Sequence, residues 1–304
     1  IKKNTLFPQL VDVTRQAGID FHHSIGDDKL SNIVESTGAG VCVFDYNGDG
    51  KPDIYFVNGT YLKGISHIKG RRLKGKLKNR LFKNNGNGTF SDVTDQSGVG
   101  NKGYGMGAVA ADYDNDGDTD LFVTNFGSNA FYRNNGNGTF SEVSTQIGLS
   151  SPEWSTGATF LDFDRDGYLD LYIGNYLRFD PNYRNYFAAE AFPGPLAYAG
   201  VRDQLFRNLG NGNFKEISQT SGIASLEGRA MGVAAADLDG DGQREIIFGD
   251  HSTSEGNGNL HVLRNDGTLF PGYPKETEFW IYAPPSVGDI NGDFSLDIIV
   301  SDYF

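Results

Sequence analysis

The stretch from Asp112 to Asp120, "DYDNDGDTD", places acidic side chains at five of its nine positions, alternating along the chain. Carboxylates this close repel one another unless a cation lies between them. Alternating oxygen donors with a Gly at position 6 to turn the backbone are the ligand arrangement that Ca²⁺ prefers. The stretch therefore predicts a calcium-binding loop.

Four more copies of this pattern occur, "DYNGDGKPD" from Asp45, "DFDRDGYLD" from Asp162, "DLDGDGQRE" from Asp237 and "DINGDFSLD" from Asp289. Every copy has an oxygen-bearing side chain at positions 1, 3, 5 and 9. We therefore expect about five Ca²⁺ sites. The fifth is the weakest match, because Phe294 stands where the others have Gly and a bulky side chain resists a left-handed backbone. The predicted ligands are Asp45, Asn47, Asp49, Asp53, Asp112, Asp114, Asp116, Asp120, Asp162, Asp164, Asp166, Asp170, Asp237, Asp239, Asp241, Glu245, Asp289, Asn291, Asp293 and Asp297.

These loops differ from EF-hands in what surrounds them. An EF-hand has a bidentate Glu at position 12 and a helix on each side, whereas position 12 here is apolar in every copy. Short β-branched and aromatic runs follow each loop, and runs rich in small residues precede it, which indicates strands on both sides. The residues at position 12 are Phe56, Val123, Ile173, Phe248 and Val300.

A second repeated element follows each of the first three loops. It appears as "NRLFKNNGNGTFSDVT" from Asn79, "NAFYRNNGNGTFSEVS" from Asn129 and "DQLFRNLGNGNFKEIS" from Asp203, with a variant, "GNLHVLRNDGTLFPGYP", from Gly258. Asn-Gly between two apolar runs is a strong hairpin signal. Each repeat is therefore predicted to contain a strand, a calcium loop, a second strand, a connection and a two-stranded hairpin.

Repeats of four antiparallel strands predict an all-β fold, a β-propeller of four-stranded antiparallel blades with calcium loops between the first two strands of each blade. We expect one propeller domain, residues 1–304, with repeats at about 38–99, 105–149, 157–223 and 229–275. A partial repeat at 285–304 would be completed by an N-terminal strand at 7–19. The propeller would have five blades if the chain is complete and seven if it is a fragment of a longer one.

Composition excludes several classes of protein. The formal net charge of −13 argues against nucleic acid as a partner, and no stretch is apolar enough to span a membrane. Cys42 is the only cysteine, so the chain can form neither an internal disulfide nor a zinc site, and we expect a small core residue there. The chain starts without Met or an apolar signal segment, which indicates a processed chain or a fragment.

The loops and the "NNGNGTF" hairpins resemble the FG-GAP and VCBS repeats of integrin-α-like propellers. The opening half, with "VDVTRQAGIDFHHS", "GAGVCVFDYNGDGKPDIYFVNG" and "YLRFDP", is most similar to the cartilage acidic protein (ASPIC/UnbV) family. This resemblance implies a calcium-binding propeller that is extracellular, on the cell surface or periplasmic. It also implies a role in interaction or adhesion, with no catalytic activity.

Two insertions interrupt the repeats, and both favour a partner-binding face. Residues 61–80 are basic, and residues 176–201 are rich in Arg and aromatic side chains, which are common in binding hot spots. A solvated loop in the first case and packing onto the blade in the second are the structural alternatives. The candidate contacts for a protein or glycan partner are Arg71, Arg72, Lys74, Tyr183, Arg184, Tyr186 and Phe187. The chain could also be one subunit of a larger assembly.

A pair of adjacent histidines, His22 and His23, precedes Glu35. Adjacent side chains on an extended segment point to opposite faces and chelate one ion poorly, so we expect a loop or packing role.

Two kinds of function remain open. The first is a calcium-stabilised extracellular interaction or adhesion module. The alternative is a carbohydrate-active protein, a lectin or a polysaccharide lyase, on a calcium-bearing propeller. A lyase needs a base near its substrate and a cation to stabilise the enolate, and no such grouping stands out. A lectin with equivalent pockets would need repeated aromatic or Arg positions, for which Lys83, Arg133, Arg207 and Arg264 are weak candidates.

Overall fold

Each acidic loop joins two antiparallel strands. In the computed structural model, which describes residues 10–183, 192–223, 228–250, 257–281 and 283–301, position 9 of every loop pairs with the residue that precedes position 1. The apolar run after position 9 therefore always becomes the second strand of a sheet. These five register pairs are Phe44 with Asp53, Ala111 with Asp120, Leu161 with Asp170, Ala236 with Glu245 and Gly288 with Asp297.

The strands form four four-stranded sheets and one two-stranded sheet within the described residues, and in each sheet the strands follow one another in chain order. The first sheet contains β1 (Val41–Phe44), β2 (Asp53–Phe56), β3 (Arg80–Asn84) and β4 (Phe90–Asp92). The second contains β5 (Tyr104–Ala111), β6 (Asp120–Phe126), β7 (Ala130–Asn134) and β8 (Phe140–Glu142). The third contains β9 (Ser155–Leu161), β10 (Asp170–Asn175), β11 (Gln204–Asn208) and β12 (Phe214–Glu216). The fourth contains β13 (Val233–Ala236), β14 (Glu245–Asp250), β15 (Gly258–Leu263) and β16 (Lys275–Thr277), and the last contains β17 (Ser286–Gly288) and β18 (Asp297–Ile299).

This up-and-down order gives the molecule two different ends. The connection between the first and second strands lies at the same end of a sheet as the hairpin between the third and fourth strands. The connection between the second and third strands lies at the opposite end. All five acidic loops therefore share the end that we call the loop end, and both insertions share the other, the insertion end.

Neighbouring sheets pack face to face, with an apolar cluster between each pair. Between the first two sheets, for example, Tyr55, Val57 and Leu81 of the first pack against Leu121 and Val123 of the second. Such aromatic and branched side chains contribute about 1.5–3 kcal/mol each on full burial. Three equivalent clusters join the remaining sheets.

The first strands of the sheets approach one another around a common axis. They line a cavity of roughly 400 Å³ whose walls are mostly Gly, Ala and Val. A Cβ on Gly40 would come within 2.6 Å of the Gly107 Cα atom, and one on Gly232 within 2.5 Å of the Pro284 Cα atom. Only Gly allows backbones this close, which explains the small-residue runs before each loop.

The chain is all-β with antiparallel four-stranded sheets, as the sequence predicts. The helical elements bounded within the described residues are α1 (Thr94–Ser97) and the 3₁₀ segments Val34–Ser36, Ile68–Leu73 and Pro195–Ala197. None of the helices found in these ranges has the length and apolar character needed to cross a bilayer. The domain boundaries and the number of blades remain predictions.

The N-terminal segment differs from its prediction as a strand. Residues 10–19, the described part of the predicted strand 7–19, contain a turn at 14–18 and no strand, and Leu10 is almost fully exposed. The N–H group of Phe90 in β4 donates to the Ala17 carbonyl at 2.7 Å, as that of Phe214 in β12 does to the Ile147 carbonyl at 2.8 Å. The segment therefore corresponds to the turn that follows the fourth strand of a sheet, as residues 144–148 follow β8, and not to a strand. Among the described residues, no strand pairs with it.

Candidate metal centre

The five acidic loops share one backbone conformation. Positions 4 and 6 have positive φ in every copy, whichever residue is present. The N–H group of position 6 donates to the carboxylate of position 1 in all five, at 2.6 to 3.1 Å. The loop thus folds around the first Asp before any ion is considered. Position 4 is Gly48, Asn115, Arg165, Gly240 and Gly292, and position 6 is Gly50, Gly117, Gly167, Gly242 and Phe294.

The acid at position 9 ties each loop to its own sheet. In the second loop, one carboxylate oxygen of Asp120 accepts from the Tyr113 N–H group at 3.2 Å and the other from the Asn134 N–H group at 2.8 Å. Asp53 and Asp170 make the same pair of bonds in the first and third loops. In these three loops the position-9 carboxylate therefore bridges the loop to the third strand while keeping lone pairs for a cation. Glu245 and Asp297 accept from the N–H group of position 2 of their own loops, at 2.8 and 3.1 Å.

Three loops bring their carboxylates together. The side chains at positions 1, 3 and 9 each offer an oxygen, and these oxygens lie within 4.8 Å of one another in the second, third and fourth loops. The first and fifth loops have Asn at position 3. The three groups are Asp112, Asp114 and Asp120; Asp162, Asp164 and Asp170; and Asp237, Asp239 and Glu245.

The predicted ligand at position 5 lies outside these groups. Its carboxylate accepts a hydrogen bond from the N–H group of position 7, at 2.9 Å for Asp116 and 3.0 Å for Asp166. In the third loop, Arg207 also forms ion pairs with Asp164 and Asp166, at 2.5 and 3.2 Å. The strand residue considered above as a weak lectin candidate is thus held by the acidic loop.

The donor set fits a hard divalent cation. All donors are oxygens, as Ca²⁺ requires. One oxygen of Asp114 is buried and has no hydrogen-bond partner in the described part of the chain, an arrangement that is costly unless an ion satisfies it. Burial raises the pKa of Asp120 and of Asp170 to about 7, and the carboxylates at positions 3 and 5 of the same loop add to the rise, against the two backbone N–H bonds that each accepts. A bound cation would compensate these charges.

The fifth loop is folded like the others in spite of Phe294. This residue has φ of 68° and a side chain that is 99% exposed, and its N–H group donates to Asp289 at 2.9 Å. The hydrogen bonds of the loop thus hold a non-Gly residue in the left-handed region, at a cost of about 1 kcal/mol. Phe294 weakens this loop without changing its shape.

The first Asn of the second and third hairpins has a role that the sequence did not reveal. The side-chain amide of Asn134 donates to the Tyr46 carbonyl of the preceding loop at 2.9 Å and to the Thr119 carbonyl of its own loop at 3.0 Å. Asn208 makes the equivalent bond to the Tyr113 carbonyl at 2.7 Å. These amides join consecutive loops. Their recurrence directly before the Asn-Gly turn was the available signal, but hairpin preference alone explained it.

The predicted partner contacts at the insertion end differ in their exposure and in their neighbours. Arg71 and Lys74 are exposed, whereas Arg72 forms an ion pair with Asp28. Tyr183 is 44% exposed and packs on Tyr198 with 5.5 Å between ring centroids. Arg184, Tyr186 and Phe187 lie outside the described residues. Their role as partner contacts stays a prediction.

The two histidines do not join Glu35. His22 is exposed and lies 3.7 Å from Asp20, while the buried Glu35 accepts from the N–H and hydroxyl groups of Ser31 at 2.8 Å. Burial lowers the pKa of His23 and raises that of the half-buried Cys42 thiol to about 12. Among the residues described, no His or Cys belongs to a group able to hold a metal.

Comparison with known proteins places the acidic loops in a known pattern. The FG-GAP-like repeat matches residues 45–123, 112–173 and 196–248 of the chain. No curated protein matches the sequence.

Several solved structures are similar to the chain at low sequence identity. A lectin from Agrocybe aegerita, described as recognising non-reducing terminal N-acetylglucosamine, is 16% identical (TM-score 0.44, covering 86% of this chain and 60% of that one). The V. cholerae biofilm matrix protein Bap1 is 17% identical (TM-score 0.35, 77% and 38%). A rhamnogalacturonan lyase from Bacillus licheniformis is 12% identical (TM-score 0.42, 87% and 55%). The chain thus spans less than two thirds of the length of each of these three proteins.

Proposed function

The chain belongs to the family of FG-GAP-like repeat proteins, and on that premise we propose that it is a calcium-stabilised interaction module that works outside the cell. The observation that carries the proposal is the repeated group of three carboxylates, built by one loop backbone in three consecutive sheets. Its closer likeness to the cartilage acidic protein family stays a prediction.

The proposed role of calcium is structural. Each ion would bind the carboxylates at positions 1, 3 and 9, and with them the ends of the first and second strands of one blade. The position-9 acid and the hairpin Asn extend this link to the third strand and to the preceding loop. A cation at each site would therefore stabilise both single blades and the contacts between them.

The proposed location follows from the affinity expected of such loops. Extracellular calcium modules bind at about 0.1–1 mM, a concentration found outside cells and far above that of the cytosol. Members of the family are typically extracellular, which agrees with this expectation.

The insertion end is the proposed binding surface, with a protein or a glycan as partner. It carries the two long insertions on a framework of packed sheets, and loops on rigid scaffolds are common binding sites. The loop end, in this proposal, holds the ions and serves stability. We propose no catalytic activity.

Thermal unfolding with and without calcium tests the proposal. The melting temperature should rise by several degrees or more in millimolar CaCl₂ relative to chelator, and much less in MgCl₂, because Mg²⁺ demands a tighter octahedral shell. The matched variant D114N/D164N/D239N neutralises position 3 in the three acidic groups and should lose most of that rise. A melting temperature that is indifferent to calcium would refute the calcium assignment.

A further inference from the structure

The basic insertion belongs to a long stretch without acidic residues. Between Asp53 and Asp92 the chain has no Asp or Glu but nine basic side chains. They are Lys63, Lys69, Arg71, Arg72, Lys74, Lys76, Lys78, Arg80 and Lys83. A chain with net charge −13 thus carries one strongly positive region.

Nearby carboxylates neutralise only part of this charge. Arg72 pairs with Asp28, Lys78 with Asp95, Arg80 with Asp92, and Lys83 lies 3.6 Å from Asp49. The other five cations are exposed and have no ion pair with any described residue. They are Lys63, Lys69, Arg71, Lys74 and Lys76.

The free cations stand on an anchored segment. The N–H group of His67 donates to Asp27, and Gly70 packs so closely on Asp27 that a Cβ there would lie 2.9 Å from its carboxylate oxygen. The N–H group of Leu62 donates to the Ser66 hydroxyl at 3.1 Å. A loop held in this way loses little conformational entropy when it binds, unlike a solvated chain.

The 3₁₀ helix Ile68–Leu73 places some side chains against the protein and others in solvent. Residues three apart lie on the same edge of such a helix. Gly70 and Leu73 occupy the edge that faces the protein, whereas Ile68, Arg71 and the capping residue Lys74 share an edge and are all exposed. Arg71 and Lys74 therefore present two neighbouring charges beside the exposed side chain of Ile68, which is 65% accessible.

The acidic loops are too far away to cancel this local potential. In the first sheet, the four-residue strand β2 separates the acidic loop from the insertion end by about 13 Å at roughly 3.3 Å per residue. The Debye length at physiological ionic strength is about 8 Å. The electrostatic potential at the insertion end is therefore set more by the nearby cations than by the more distant carboxylates.

From this arrangement we infer that the exposed edge of segment 61–80 binds a linear acidic polysaccharide, with Arg71 and Lys74 at the centre of the site and Lys69 and Lys76 beside them. The inference rests on the proposed function in placing the partner at the insertion end. Sulfate or carboxylate groups along the polymer would pair with the cations, and the C–H face of a sugar ring would pack on Ile68.

The chemistry of the segment favours this ligand over two other polyanions. Segment 61–80 contains no Trp or Phe, and its only ring side chains are Tyr61 at its start and His67. A single-stranded nucleic acid would therefore find no row of aromatic rings for successive bases to stack on. An acidic protein partner needs an apolar centre that is fully buried on binding, and Ile68 is the one exposed large apolar side chain of this segment. A flexible polyanion needs only spaced charges.

The test is binding of the whole chain to immobilised heparin and to hyaluronan, which carries carboxylates but no sulfate, at physiological salt. The variant R71Q/K74Q should weaken binding about tenfold or more. The control R15Q/K215Q removes the same charge from two exposed cations that have no ion pair with a described residue and lie outside both the segment and the acidic loops, and it should change the affinity less than about twofold. Binding to heparin alone would identify sulfate as the recognised group, and binding to both would identify any anionic sugar.

Three results would overturn the inference. They are no binding to either polymer, equal loss in both variant pairs, and equally tight binding of a DNA duplex of similar length. Measurements in chelator, below the melting temperature found there, separate this inference from the proposed role of calcium. The segment needs no ion, so heparin binding should persist even where the calcium assignment fails.

Discussion

The second and fifth acidic loops have the same backbone and different surroundings. In both, position 6 has positive φ and donates to the first Asp. Asp120 of the second loop is 1% exposed and also accepts from Asn134 of the third strand. Asp297 of the fifth is half-buried and accepts only from Ile290 among the described residues. The difference teaches that nine residues are enough to shape the loop, while neighbouring strands make it rigid.

The largest effect is expected when the position-9 acid is removed from the second loop and, for comparison, from the fifth. In millimolar calcium, D120A should lower the free energy of unfolding by about 3 kcal/mol, because it deletes a proposed ligand and leaves two N–H groups without their acceptor. D297A, at a more exposed position, should cost about 1 kcal/mol or less. Urea unfolding measures both, and equal losses would show that surroundings do not matter.

The sequence predicted what local chemistry dictates. Oxygen donors at fixed spacing indicated the loops, and the apolar runs after them indicated the second strands, since both signals lie within about fifteen residues. The amide of Asn134 reaches the Tyr46 carbonyl across 88 positions of sequence, and no local pattern encodes that distance. The turn at residues 10–19 was missed for a similar reason, because a strand forms only where another strand lies beside it.

A second test compares two buried carboxylates at opposite ends. Asp120 has acidic neighbours that could share a cation, whereas Asp203 at the insertion end accepts from the Asn175 N–H group and the Tyr172 hydroxyl, both at 2.7 Å. Burial raises the pKa of Asp203 to about 7. The two hydrogen bonds and the nearby His261 lower this pKa by less, and the charge of Asp250 adds to the rise. The equivalent residues in the first two blades are Asn79 and Asn129.

D203N should therefore stabilise the protein at neutral and higher pH. The raised pKa means that the folded state keeps a proton that the unfolded state has released. The stability tied to this proton is complete below about pH 4 and is lost as pH rises through about 7. We expect D203N to gain about 1–2 kcal/mol at pH 8 and little near pH 4.

The reverse substitution provides the control for this pH effect. N79D places the same carboxylate at the equivalent site of the first blade, where Asn79 donates to the Tyr55 hydroxyl at 3.0 Å. It should lose stability at pH 8 and recover it in acid. Chemical unfolding across pH measures both variants, and a D203N effect that is the same at all pH values would contradict the assignment.

A smaller effect is expected where one loop contacts the next. Asn134 is buried and its side-chain NH₂ group bonds to two loops. The NH₂ group of Asn84 bonds, among the described residues, only to the Pro52 carbonyl of its own loop, at 3.0 Å. N134A should therefore cost about 1–2 kcal/mol and N84A about half as much. If the two variants unfold at the same urea concentration, the bond between loops contributes nothing to stability.

The smallest effect should come from the residue that distinguishes the fifth loop. Phe294 holds a left-handed backbone, and its side chain is 99% exposed and buries no surface. Replacing it by Gly therefore removes backbone strain without loss of packing. The relief of strain should raise the free energy of unfolding by up to about 1 kcal/mol, although the freer unfolded chain offsets part of this gain. F294A deletes the ring but keeps the Cβ atom, so it should leave the stability nearly unchanged. Urea unfolding of the two variants separates backbone strain from loss of the ring. An equal gain in both would mean that the aromatic ring, rather than the left-handed backbone, weakens the fifth loop.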